Sequence, residues 1–229
     1  MPGENPFETI YGEYDAWFDA NVNAFVSEIL AVRELVPKPG RWIEVGVGSG
    51  RFASALGIRV GIEPAEGIAS LALERGIEVL KGVAEDLPLE DASVDALFLI
   101  TTLCFVRDVE RAFAEALRVL VPGGVILVAF IPSDSPFGEL YTRTASRNPF
   151  FRDAILRSRK AIVRALTGAG FRIDRATHTL TVSPERVNDR IEPPGEGWER
   201  GSFVVLRAGK AASDGSPKDS AGGEPGASS

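Results

Sequence analysis

Trp42-Ile43-Glu44-Val45-Gly46-Val47-Gly48-Ser49-Gly50-Arg51-Phe52 is the stretch whose reading decides the fold. Trp42 to Val45 reads as a strand, Gly46 to Gly50 as a glycine-rich turn, and Phe52, Ala53 and Leu56 as the inner face of a short helix. Glycines between a strand and a helix let the main chain approach a ligand closely, with the helix N–H groups facing it. A dinucleotide-binding loop has the spacing G-x-G-x-x-G. Here the third glycine comes one residue early, and Arg51 stands where Gly or Ala would pack helix on strand. Glu44 precedes the first glycine. Its carboxylate would repel a pyrophosphate and attract a ligand bearing an ammonium group.

Outward from this stretch the chain alternates. Val60-Gly61-Ile62 reads as a second strand, and Ala65 to Arg75 as a helix closed by Gly76 in the left-handed conformation. Ile77 to Leu80 and Asp95 to Ile100 read as the third and fourth strands. Val109 to Leu120 is an amphipathic helix with Ala112, Phe113, Ala116, Leu117 and Leu120 inward. Pro122-Gly123-Gly124 then turns into a fifth strand, Val125 to Ile131. Strands that are apolar throughout and alternate with helices predict a parallel sheet covered on both faces. Ahead of it, Glu8 to Leu35 reads as helical. Behind it come a helix over Ser158 to Thr167 and two strands, about Phe171 to Val182 and Phe203 to Arg207, expected to pair antiparallel because no helix separates them. From about Gly209 the sequence turns to Ala, Ser, Gly and Pro, too poor in apolar residues for a core, and a disordered tail over 209–229 is expected. The folded unit is then a single domain ending near residue 208, with an N-terminal helical lid over about 8–36.

Composition agrees with one globular domain: 229 residues, 45% hydrophobic and 25% charged. One cysteine, Cys104, and one histidine, His178, exclude a Cys-based zinc cluster and a multi-histidine site, so no metal is expected. No G-x-S-x-G elbow accompanies His178, which argues against a serine hydrolase. The first thirty residues lack a basic n-region and an apolar h-region, so no signal peptide is read there. The longest apolar run, Val125 to Ile131, is far too short to span a membrane. A cytoplasmic protein is expected. The net charge of −7 argues against nucleic acid or an anionic membrane as partner. The apolar faces are all accounted for by the core, and oligomeric state stays open.

Five ordered segments together resemble a class I S-adenosylmethionine-dependent methyltransferase of the small type 11 kind. They are Glu44 to Gly50, Gly61-Ile62-Glu63-Pro64, Ala84-Glu85-Asp86-Leu87-Pro88, Asp95 to Phe98, and Arg118 to Gly124. The resemblance covers roughly residues 8–207 and implies a Rossmann-like α/β three-layer sandwich. Its seven-stranded sheet is mostly parallel, with one antiparallel strand. Tyr14-Asp15-Ala16-Trp17-Phe18 and Thr101-Thr102-Leu103-Cys104-Phe105 resemble a subgroup sometimes labelled possible histamine methyltransferases.

The resemblance implies S-adenosyl-L-methionine as cofactor, and it implies the residues that hold it. Glu63, at the end of the second strand beside Pro64, is placed to accept both ribose hydroxyls. Glu44 attracts the methionine ammonium. The main chain of Gly46, Val47, Gly48 and Gly50 packs along the methionine and ribose portions. Relatives carry Asp where this chain has Val83, which accepts no hydrogen bond. The Ala84 amide remains to donate to the adenine ring, and Glu85 is the candidate substitute acceptor. Thr101 and Thr102 follow the fourth strand on the substrate side, with Thr101 also among the cofactor-binding residues.

Methyl transfer from a sulfonium needs alignment of a nucleophile and, for some acceptors, removal of its proton. Candidates for a catalytic role are Thr102, Tyr14 in the lid, and His178 as a general base. Cys104 reads as a buried small hydrophobe. Trp17, Tyr11, Trp198 and the segment Phe130 to Tyr141 are further acceptor-side candidates. The Asn/Asp-Pro-Pro-Tyr pattern of amide and exocyclic-amine nitrogen methylation is missing, which disfavours nucleic-acid bases. The expected function is methyl transfer to a small-molecule acceptor. The alternative is a non-catalytic S-adenosylmethionine-binding or S-adenosylhomocysteine-binding regulatory protein, which a pocket closed beside the methyl group would favour.

Overall fold

Strands β1 (Trp42–Val45), β2 (Val60–Ile62), β3 (Glu78–Leu80), β4 (Val94–Ile100), β5 (Leu120–Phe130), β6 (Phe171–Thr179), β7 (Gly195–Glu196) and β8 (Phe203–Lys210) form one sheet. Its order is β3-β2-β1-β4-β5-β8-β6-β7 in a computed structural model that describes residues 5–210. The pairs among β1 to β5 are parallel, and β8 runs antiparallel to both β5 and β6. The expected Rossmann-like α/β sandwich stands. The strand count rises from seven to eight because two residues, Gly195 and Glu196, pair antiparallel with His178 and Thr177 at the sheet edge. So short a segment carries no apolar alternation for a sequence reading to detect.

The strands are apolar throughout because both faces are covered. On β4, Leu97 and Leu99 pack toward α6 (Val109–Val119) and α8 (Arg159–Gly168). Ala96, Phe98 and Ile100 pack toward α3 (Val22–Arg33) and α4 (Arg51–Leu56). The same alternation divides β5 and β8, so each strand feeds two cores at once. The remaining helices are α1 (Pro6–Thr9), α2 (Tyr11–Ala20), α5 (Glu66–Glu74) and α7 (Pro136–Thr144).

Three boundaries differ from the sequence reading, each for a local reason. The N-terminal helical stretch is three helices. Between α2 and α3, Asn21 leaves the helical conformation (φ −126°, ψ 47°) and its side-chain amide donates to the Trp17 carbonyl at 2.9 Å. Strand β5 starts at Leu120 directly from α6, and the residues between Leu120 and Val125 bulge out of register with β4. Strand β8 extends to Lys210, whose ammonium donates to the Leu117 and Leu120 carbonyls, so the ladder continues past residue 208. The tail expected beyond it lies outside the described residues.

Phe113 on α6 is fully buried and meets Phe171 edge to face at 6.5 Å. Phe113→Ala is expected to cost about 3–5 kcal/mol of unfolding free energy in urea melts, because the surrounding sheet cannot collapse into the gap.

Candidate active site

The order of the sheet reverses between β1 and β4, and the loops after these strands part to leave a cleft at their carboxyl ends. The cleft holds a cavity of about 390 Å³. Its floor includes Gly46 and Gly48 from the loop after β1, Glu63 and Pro64 from the end of β2, and Ala84 and Glu85. Thr101, Thr102 and Tyr14 also face it. Gly46 has φ +70°, and a Cβ there would collide with the Thr102 side chain.

The Glu63 carboxylate accepts the Gly48 N–H at 3.0 Å and the Ala65 N–H at 3.1 Å, one on each oxygen. It pins the glycine loop to the start of α5 and retains lone pairs toward the cavity. Burial raises its pKa against these two bonds. Glu44 lies under the loop, 1% exposed, and its Oε2 has no hydrogen-bond partner. Burial, with Glu63 nearby, holds its carboxyl well above the ordinary range. Glu44, Val47 and Gly50 do not line the cavity. Val47 is buried against Gly61, and Gly50 turns at φ +79° beside Ile77 and Ala72.

Several sequence candidates have their polar atoms committed to the main chain. The Thr102 hydroxyl donates to the Val45 and Ile100 carbonyls at 2.9 and 3.1 Å, bracing β4 against β1. Glu85 Oε1 accepts the Arg107 N–H at 3.0 Å, which holds the cavity rim to the start of α6. Val83 is 42% exposed on that rim. His178 is a correction. It lies on β6 with Nδ1 3.2 Å from the Gly197 carbonyl, and it faces neither this cavity nor the next. Trp198 and Tyr11 likewise face neither.

A second cavity of about 400 Å³ adjoins the first. Tyr14, Thr101, Phe105 and Phe150 belong to the walls of both. Trp17, Phe18, Phe52, Phe130 and Tyr141 enclose its interior. Cys104 borders it too. Burial pushes its thiol up to about 12 and its Sγ donates to the Thr101 carbonyl, so it is no nucleophile at neutral pH.

The buried carboxylate in this second cavity is Glu28, which the sequence reading missed. It sits on α3, 3% exposed, among the inward positions Ala24, Ala31 and Val32. Burial alone raises its carboxyl to about 8. The available signal was a glutamate on the apolar stripe of an amphipathic helix, four residues before Val32.

The N-terminal helices close over both cavities. Glu8 on α1 accepts the Glu66 and Gly67 N–H groups at 3.1 and 2.7 Å, capping α5 from another element. Asp15 on α2 accepts from Arg51 and Arg75 at 2.7 and 2.8 Å, and Arg75 also donates to the Ser49 carbonyl in the glycine loop. Burial raises the Asp15 pKa, but hydrogen bonds from Arg51, Ser49 and Arg75 outweigh it and leave the carboxyl at about 2.

Comparison with known proteins accounts for this geometry. A family model described as a methyltransferase domain matches residues 43–128. A Thermotoga maritima structure described as an S-adenosylmethionine-dependent methyltransferase, possible histamine N-methyltransferase, is 41% identical. It superposes with a TM-score of 0.85 over 89% of this chain and 98% of its own. The chain belongs to the S-adenosylmethionine-dependent methyltransferase family. An uncharacterized protein of Methanocaldococcus jannaschii is 37% identical over 206 residues, covering 90% of this methyltransferase and 99% of its own chain. A malonyl-[acyl-carrier protein] O-methyltransferase of Methylococcus capsulatus is 27% identical over 165 residues, 66% of this chain and 60% of its own.

The family's cofactor is S-adenosyl-L-methionine, and the residues present suit it. The buried Glu44 Oε2 lacks a partner, the Gly46 turn leaves no room for a side chain, and Glu63 presents a carboxylate to the cavity. Among the described residues no helix is long and apolar enough to cross a membrane.

Glu28 carries a stability prediction. Its folded pKa lies above the unfolded value of 4.5, so the folded state keeps a proton that the unfolded chain has lost. Stability contributed below the unfolded pKa is lost as pH rises toward about 8, a penalty of about 3 kcal/mol at neutral pH. Glu28→Gln is expected to raise Tm by an amount that grows between about pH 5 and pH 8. Thermal melts of both proteins across that range check it; a Tm difference independent of pH would mean that Glu28 titrates normally.

Proposed function

We propose that this chain transfers a methyl group from S-adenosylmethionine to a small-molecule acceptor held in the aromatic second cavity. The observation that carries the reading is the adjacency of two cavities across the shared wall of Tyr14, Thr101 and Phe105. A protein that only bound the cofactor would have no use for a second chamber of about 400 Å³ there.

In this reading Glu63 accepts the ribose hydroxyls and Glu44, buried beneath the glycine loop, attracts the methionine ammonium. The main chain of Gly46 and Gly48 lies along the ligand, with Val47 and Gly50 shaping the loop. Pro64, the Ala84 amide and Glu85 border the adenine end. The bound sulfonium supplies a methyl group on a good leaving group. The chain's own part is to align the acceptor and exclude water. Burial holds the phenols of Tyr14 and Tyr141 protonated, so they orient an acceptor by hydrogen bonding and do not serve as bases. Thr102 supports the wall through its bonds to Val45 and Ile100. Helices α1 and α2 act as the lid, held by Glu8 and Asp15.

Calorimetric titration with S-adenosylmethionine, S-adenosylhomocysteine and NAD tests the cofactor half. Both adenosyl ligands are expected to bind and NAD is not. Glu63→Ala is expected to weaken adenosyl binding by about 2–4 kcal/mol with the fold retained, and unchanged affinity would remove the ribose role from Glu63. Release of S-adenosylhomocysteine on mixing with a panel of small amines, alcohols, phenols and thiols tests the transfer half.

A further inference from the structure

Glu28 lines the second cavity only, whereas Tyr14 and Thr101 line both. No cation offsets the Glu28 carboxylate. The arginines on the cavity wall are Arg147 and Arg157. Arg147 is exposed. The Arg157 guanidinium donates to the carbonyls of Leu103 and Val106 at 2.7 and 2.8 Å. Glu13, the other acidic group on this wall, is also exposed. Glu28 takes part in none of the ion pairs among the described residues.

A carboxylate without a partner in an apolar chamber is costly, and evolution retains such groups where a ligand completes them. The side chains around it are aromatic, with Tyr14, Trp17, Phe18 and Tyr141 on the same wall. Aromatic faces and a carboxylate both attract a cation, and neither favours an anion. An acceptor presenting a free carboxylate would be repelled.

We infer that Glu28 is an anchor for the positively charged nitrogen of a compact amine, seating that end among the aromatic side chains of the second cavity. The acceptor is thus bifunctional: a cation at one end and the methylated atom at the other. Glu28 positions the acceptor and is not the base for the reaction. The inference rests on the methyl-transfer reading only for what becomes of the bound amine; the amine site itself stands on the cavity.

The test compares two pairs of probes that differ in charge and little in shape: tyramine against tyrosol, and histamine against its alcohol analogue, 4-(2-hydroxyethyl)imidazole. Each is titrated calorimetrically into the protein with and without S-adenosylhomocysteine. The wild type is expected to bind at least one amine about tenfold or more tighter than its alcohol, the affinity expected of one buried ion pair. Glu28→Gln is expected to abolish that preference while cofactor affinity stays unchanged, and Glu28→Asp to restore part of it. The groups that face Glu28 are the phenols of Tyr14 and Tyr141, with the Cys104 thiol beside them, and burial keeps all three protonated in this range. Tyramine, whose ammonium keeps its charge over this range, is therefore expected to bind more tightly as pH rises to about 8 in the wild type and with constant affinity in Glu28→Gln. Equal binding of amine and alcohol in both pairs, or a preference that survives Glu28→Gln, overturns the anchor. Failure of S-adenosylhomocysteine to bind would overturn the methyl-transfer reading instead, with the amine preference still measured on the protein alone.

Discussion

A parallel sheet buried on both faces can present polar chemistry only at the ends of its strands. That constraint organises this molecule. The interiors of β4, β5 and β8 are spent on two hydrophobic cores, and the polar groups of the site gather where β1, β2 and β4 stop. Glu63 is the joint of that arrangement. Its two oxygens hold the amides of Gly48 and Ala65, so the loop after β1 and the helix after β2 share one carboxylate. The left-handed turn at Gly46 and the Thr102 hydroxyl on Val45 fix the opposite wall in the same way. The cavity is thereby shaped before any ligand arrives, which lowers the ordering cost of binding.

The N-terminal helices add a second level of organisation. Glu8 supplies the missing cap of α5, and Asp15 is shared between Arg51 and Arg75. Both contacts bind N-terminal helices to elements that themselves form the cofactor cavity. Arg75 continues the link to the Ser49 carbonyl inside the glycine loop. An edge-to-face cluster of Phe7, Tyr14 and Phe105, with Phe150 tilted against it, fills the space between the N-terminal helices and the strand ends at centroid distances of 5.2 to 5.4 Å. The wall between the two cavities is therefore aromatic and comes largely from the N-terminal helices and the loops beyond β4, while the floor comes from the strand ends.

Against these stabilising contacts stand two buried carboxyls, Glu44 and Glu28. Each is held above its ordinary pKa first by desolvation. Neither helps the empty fold, and their positions differ in kind. Glu44 belongs to β1 and lies beneath the glycine loop. Glu28 belongs to α3 and to the aromatic chamber. Both carboxyls cost the fold stability, because neither has a cation to offset its burial.

The residues of β1 and its loop were legible from sequence because strand, glycine spacing and helix are all local. The alternation of later strands and helices then left few topologies that bury every apolar stretch. Roles set by proximity across the fold were not legible in this way. Glu28 looked like one charge in a helix until α3 packed it beside residues of α2, α7 and the segment after β4. His178 looked available until β7 and its glycines closed against it. Thr102 and Glu85 carry suitable atoms, and only the folded chain shows those atoms committed to Val45 and Arg107. The sequence by itself determined the architecture, because hydrophobic periodicity and glycine spacing act over neighbouring residues. Tertiary structure alone decided which polar groups face a cavity, because burial and hydrogen-bond partners come from residues far apart in the chain.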